Sequence, residues 1–461
     1  MHYPWWYVPH LTAPMLIAVI ATVHVLVSHY AVGGGLFLAV EVGYAYRTKD
    51  REYLEYLKRH AGFFILLTVV FGAITGVGIW WTIGLASPLA TELLIRTFVF
   101  GWATEWVFFV IELSAAFIFY YYWGTLAEKT HVAIAWIYAL AAWISLVLIT
   151  GITAFMSNPG DWLENSNFWT AFFNPQFIPQ MIARTGGALL LTSLYVYLHA
   201  SLVIKDSRLR DMIGLRSARP ALAGAIMVTV GGLGWFYFLP ESSKAIITGV
   251  ASLNILMALI FALTIITFFL LYFGPYRNPG WLSPGFAGAL MLFGLAAFST
   301  GEFIREAVRK PYVIYNVVLG NQILPEEVSR LRGQGYLEGG LWTKAYVSKN
   351  FPDVIGGDAI ENNRFSRLPK SDRIRLGEVL FQYHCNDCHA SAFGYSAAGP
   401  LLRGRSRELV RGVIDHLDTY LFMPSWAGTD EEAELLTDYL MSIVPPRPGG
   451  MRLGSQQPEV R

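Results

Sequence analysis

The chain has 461 residues, of which 54% are hydrophobic and only 15% charged, with a mean hydropathy of +0.43. A soluble chain of this length would expose far more charge, and with a formal net charge of +1 nothing in the balance suggests a nucleic-acid partner. The 15 Trp, 24 Tyr and 30 Phe suit the interfacial belts of a membrane protein, and two cysteines rule out a disulfide scaffold.

The start, Met1-His2-Tyr3-Pro4-Trp5-Trp6, has no basic n-region, and the first apolar run is too long for a signal h-region, so no cleavable leader is expected. Apolar runs long enough to cross a bilayer lie at about 12–45, 61–86, 97–123, 131–156, 181–204, 219–239, 245–273 and 284–306. Basic residues crowd the loop between runs one and two (Arg47, Lys49, Arg51, Lys58, Arg59) and the loop between five and six (Lys205, Arg208, Arg210, Arg216, Arg219). Lys129 and Arg277 mark the loops between runs three and four and runs seven and eight. The opposite side has little beyond Arg96 and Lys244. The positive-inside rule then places the N-terminus outside, and eight crossings bring the chain back outside.

Ionisable groups inside a span cost roughly 2.5–3.5 kcal/mol each to insert, so each is a functional candidate. The first run carries His24, His29 and Glu41, and the third carries Glu105 and Glu112. The fifth carries Arg184 and His199, and the eighth ends in Glu302, Arg305 and Glu306. Glu105 and Glu112 are seven residues apart, almost two turns, so both carboxylates face one way, as a proton relay or a paired ligand and relay group requires. His24 sits mid-helix ahead of Gly33-Gly34-Gly35, which permit close approach of a helix or a macrocycle. It is about 18 Å deep and Glu105 about 12 Å, counted at 1.5 Å per residue, so both can flank one macrocycle. His29 is on a different face from His24. His60, at a helix start, reads as a cap or surface group, and His199 as interfacial or a ligand. Arg184 cannot ligate iron, but its planar fork suits a haem propionate.

From about 307 the composition turns polar, and residues 316–365 read as an irregular connector. An amphipathic helix over 376–383 leads into Cys385-Asn386-Asp387-Cys388-His389, the C-x-x-C-H pattern of covalent haem c attachment. The thiols are spaced to bond the two vinyl groups of one porphyrin, and His389 falls under the iron. A redox dithiol is the competing reading. Gly399-Pro400-Leu401, then Met423-Pro424, then a helix over about 430–443 complete a pattern that resembles the small class I cytochrome c fold. Met423 is its expected distal ligand, with Met441 as the rival inside an apolar helix. Haem c attaches outside the cytoplasmic membrane, which agrees with the loop charges. The tail 447–461 reads as flexible.

The membrane half resembles subunit I of the cytochrome bd-type oxidases. The run Ala21-Thr22-Val23-His24 through Gly33 and Glu41, and Glu105-Trp106-Val107-Phe108-Phe109-Val110-Ile111-Glu112, carry the likeness, with Asn174-Pro175 and Glu306 to Pro311 in support. The resemblance spans about 10–315. It implies that His24 ligates a high-spin haem, that Glu105 sits at that haem, that Glu112 donates protons, and that Glu302 ligates a second high-spin haem. The family holds a low-spin haem b with a histidine on its fifth helix and a methionine on its seventh. Arg184 and Met257 stand at those positions, so that haem in its usual ligation is expected to be absent. The quinol-binding loop is also missing: Leu239 to Lys244 alone joins helices six and seven.

The expected architecture is therefore all-α: an eight-helix polytopic membrane bundle (1–315), a connector (316–365), an extracytoplasmic cytochrome c domain (366–446) and a tail (447–461). The expected setting is the inner membrane, with lipid and a second bd-type membrane subunit as partners. The expected activity is that of a terminal oxidase. Electrons from soluble cytochrome c or another periplasmic donor pass through haem c to two non-covalent haems, haem b and/or haem d, that reduce oxygen to water. Two readings stay open beside it: a quinol:cytochrome c-type oxidoreductase passing electrons outward without oxygen chemistry, and a non-catalytic haem-carrying subunit of a larger respiratory complex.

Overall fold

The computed structural model describes residues 4–445, so the predicted tail 447–461 lies outside the described residues. Among the described residues, eight helices are long and apolar enough to cross a membrane. They are α1 (Ala13–Thr48), α2 (Arg51–Ala86), α3 (Val99–Tyr121), α4 (Glu128–Phe155), α5 (Phe177–Val203), α6 (Ser207–Tyr237), α7 (Ala251–Tyr276) and α8 (Pro284–Ala307). Their outer faces carry large apolar side chains at exposures such as 68% for Trp81, 74% for Phe100 and 69% for Leu292. Water would not tolerate such a surface; lipid or a second membrane subunit would.

Two helices begin well before their apolar runs. Asp50 caps α2 by accepting the Tyr53 N–H at 2.9 Å, and Tyr53, Tyr56 and Leu57 bury one face while Arg51, Lys58 and Arg59 point away. Asp206 caps α6 in the same way, accepting the Leu209 N–H at 2.7 Å. Much of the basic sequence expected to be loop thus lies in the capped N-terminal parts of helices.

The chain divides into two compact units, Ile17–Pro325 and Met1–Leu16 together with Glu326–Arg461. The boundary falls ten residues beyond the expected 315. Residues 312–325 form an antiparallel ladder of Tyr312–Ile314 with Val318–Leu319 and are tied to the membrane unit, where Tyr315 N–H donates to Met156 O at 3.0 Å and the Gln322 side-chain Oε1 accepts the Leu89 N–H at 3.1 Å. The supposed irregular connector instead forms short helices (Val328–Gln334, Tyr336–Gly339, Thr343–Asn350) and a ladder of Ile355–Gly356 with Ala359–Ile360. These elements are too short to show a hydrophobic period, and one remote side chain organises them. Buried Glu432 accepts the N–H groups of Tyr336 and Leu337, each at 2.7 Å, while closing its own helix with a Thr429 capping box.

The second unit is built on α9 (Lys370–His384) and α10 (Asp430–Ile443), which pack across one another. They touch at Gly377, where an added Cβ would lie 2.1 Å from Leu435 O and 2.7 Å from Tyr439 Cβ. Any larger residue there would push the helices apart.

Candidate functional site

α9 ends at Cys385, and one further turn carries Cys388 and His389, whose N–H groups donate to Cys385 O at 3.1 and 3.0 Å. The two thiols and the imidazole therefore come from one turn of backbone. His389 Nδ1 donates to the Ser396 carbonyl at 2.7 Å. A carbonyl can only accept, so the neutral ring carries its proton on Nδ1 and its lone pair on Nε2, the tautomer an iron ligand needs. Burial pushes the Cys385 thiol up to about 12. Redox dithiols lower a thiol instead, so this shift runs against the dithiol reading. Met423 is half-buried ahead of α10, and Met441 is half-buried on it.

In the membrane unit His24 repeats the arrangement. Its Nδ1 lies 3.1 Å from Thr75 Oγ1 on α2. The Thr75 hydroxyl proton is already directed at Phe71 O (2.9 Å) and Gly72 O (3.1 Å), so Thr75 accepts from His24 and leaves Nε2 with the lone pair. The residues thus fit an axial haem ligand. The glycines ahead of His24 serve helix packing: a Cβ on Gly33 would lie 2.2 Å from Ala188 O of α5.

Glu105 and Glu112 both turn toward α4, as their spacing predicts. Glu105 accepts the Ser145 hydroxyl at 2.7 Å, and Glu112 accepts the Tyr138 hydroxyl at 3.0 Å. Neither partner was visible in the sequence, because Ser145 and Tyr138 sit in an apolar helix with no motif around them. Arg184 and Glu302 come together with Arg305 and His29, near enough to act on one another's charge. Glu302 Oε2 accepts from Arg305 Nη2 at 2.8 Å and Nε at 3.0 Å.

Two readings change. His60 is no cap: it is fully buried inside α2, with Nε2 3.0 Å from the Tyr30 hydroxyl and Nδ1 3.1 Å from His199 Nδ1. With both His60 nitrogens and His199 Nδ1 engaged, the pair is a hydrogen-bonded core element. Glu41 is also structural. It accepts Arg216 Nε at 2.5 Å, Arg216 Nη2 at 3.0 Å and the Tyr53 hydroxyl at 2.8 Å, at the edge of a cleft of about 450 Å³ between α1, α5 and α6. Met257 packs in an apolar cluster with Leu239, Ile304 and Val308. Among the described residues no group of three or more His, Cys, Asp or Glu is placed to hold a bare metal ion.

Eight helices long and apolar enough to span, with carboxylates and histidines inside them, define the fold of a multi-pass membrane protein. Residues 13–237, which cover α1 to α6, match the family model of cytochrome bd terminal oxidase subunit I. The fold is similar to that of the bd oxidase from Geobacillus thermodenitrificans, at a TM-score of 0.57 and 18% identity over 67% of this chain and 88% of that one. No curated relative matches the sequence.

Proposed function

We propose that the chain is a terminal oxidase-like subunit of the cytochrome bd type that takes electrons through a covalent haem c and reduces oxygen at haems held in its membrane unit. The observation that carries this reading is the shared tautomer: His389, beside two thiols on one turn, and His24, inside the bundle, both donate from Nδ1 and so carry their lone pair on Nε2. Cys385 and Cys388 would hold haem c by thioethers, with His389 and Met423 as its axial ligands. Bound haem would supply the redox chemistry, and this chain the ligands, charge and protons. Glu105 and Glu112, each held by a hydroxyl on α4, would supply a haem-site carboxylate and a proton donor. Glu302 keeps Oε1 clear of its Arg305 pairing, which suits a ligand to a second membrane haem.

The donor would be a soluble cytochrome c or another periplasmic carrier, and a second bd-type subunit would cover the exposed apolar faces. The basic residues at the starts of α2 and α6 support an orientation with the haem c unit on the extracytoplasmic side of the inner membrane. A reporter active only in the cytoplasm, fused after Arg461, should stay silent; an active one would reverse the orientation. Haem stoichiometry tests the whole reading. The purified protein should yield one covalent haem and, after acid-acetone extraction, non-covalent haem b and/or haem d. Covalent haem alone would contradict an oxidase.

A further inference from the structure

Among the described residues, His29 is a buried membrane histidine with one ring nitrogen left unbonded. It is only 5% exposed. Its Nδ1 donates to the Val25 carbonyl at 2.9 Å, one turn back on α1. The carbonyl fixes the proton on Nδ1, so the neutral ring presents a bare lone pair on Nε2. That Nε2 is buried and has no hydrogen-bond partner. An unsatisfied acceptor inside a membrane bundle costs on the order of 1–3 kcal/mol, so a partner is expected there. His60 and His131 show the usual solution in this same bundle, with both ring nitrogens bonded.

The surroundings narrow the partner. α1, α5 and α8 meet at His29, with the Phe298 ring edge-on at 5.1 Å and Gly187 beside the imidazole. Arg184, Glu302 and Arg305 complete the group. That gives two guanidiniums for one carboxylate inside membrane-spanning helices, an excess of positive charge that calls for an anion. A bare metal ion would need several protein donors, and no such cluster exists among the described residues. A haem brings its own ring nitrogens, needs a single imidazole, and carries propionates that match a guanidinium fork.

We propose that His29 Nε2 is an axial ligand to a haem iron separate from the one served by His24, and that Arg184 binds a propionate of that haem. The proposal deepens the haem-protein reading above and rests on it. His24 and His29 lie five residues apart, on different faces of α1, and each has its own anchor, Thr75 for one and Val25 for the other.

The test uses the full-length protein in detergent, with non-covalent haem measured per polypeptide. His29→Ala should lose one equivalent of non-covalent haem, and imidazole in the buffer should restore the missing Soret and α-band absorbance. His29→Met retains a ligating side chain and should keep the haem while shifting its midpoint potential. Arg184→Ala should retain the haem with a shifted potential. Wild-type haem content and spectrum in His29→Ala would overturn the proposal. So would equal haem loss in the Ala and Met variants without imidazole rescue, because the ring would then serve packing alone. A wild-type protein without any non-covalent haem would sink the oxidase reading itself, a result distinct from either.

Discussion

His389 in the C-terminal unit and His24 in the membrane unit are held by the same chemical device, but their anchors come from different distances along the chain. The His389 anchor is a backbone carbonyl seven residues on, and the thiols are one and four residues back. The His24 anchor is a side chain 51 residues away, on another helix. The attachment turn of the first site, its two thiols and its imidazole with the carbonyl that holds it, is set once one segment folds. The second exists only when α1 and α2 pack in register, so it depends on helix packing that no local sequence controls. Attachment of the covalent haem should therefore resist single side-chain changes outside the motif, and the membrane site should not.

The largest break in that comparison is His24→Ala. It should abolish one high-spin haem and the oxygen turnover while the covalent haem remains, read by optical spectra and an oxygen electrode. Full haem content with normal turnover would remove His24 from the site. Met423→Ala comes next. It should convert haem c from a low-spin six-coordinate spectrum to a high-spin one, with the haem still attached through Cys385 and Cys388. An unchanged spectrum would move the ligation to Met441 or another group.

The third prediction concerns acid. Burial lowers the His384 imidazole, one residue before the motif, to about 4. The Tyr336 hydroxyl lies 2.6 Å from its Nδ1 and accepts the Ala427 N–H, so it donates to a neutral ring. Protonation favours the unfolded chain, whose histidine titrates near 6.5. Stability is thus complete above about pH 6.5 and falls as the pH drops toward 4, by about 3 kcal/mol over that window. Hydrogen-exchange protection of α9, corrected for intrinsic rate, should fall by that amount, and His384→Gln should flatten the dependence. A flat profile in the unsubstituted protein would contradict the buried neutral ring.

The smallest effect sharpens the comparison most. Thr75→Val keeps the shape but removes the acceptor for His24 Nδ1. Loss of such an outer partner weakens metal-site binding on the order of 10- to 100-fold. Ser396→Ala should do nothing comparable, because the His389 anchor is the carbonyl of residue 396 and survives the change. Equal losses in the two variants, measured as haem retained on dilution, would erase the distinction.

What could be read from the sequence follows the same division. The eight spans and the C-x-x-C-H turn are local patterns, and both are legible. The shared face of Glu105 and Glu112 follows from spacing alone, but Ser145 and Tyr138, which hold them, belong to an apolar helix without a motif. His60 was misread because the charged segment before it looks like a loop; its burial depends on Tyr30 and His199, 30 and 139 residues away. The connector looked irregular because Glu432, about a hundred residues on, supplies the acceptors that order it. His29 was seen but had no role, since only the packing of α1, α5 and α8 shows its unsatisfied nitrogen.

The central claim is that electrons enter through haem c and leave on oxygen. Oxygen uptake by the purified protein, with reduced cytochrome c and with quinol as separate donors, tests it most directly. Uptake should be driven by reduced cytochrome c, fail with quinol, and vanish in His24→Ala. Quinol-driven reduction of cytochrome c without oxygen uptake would contradict the claim and reverse the direction of electron flow.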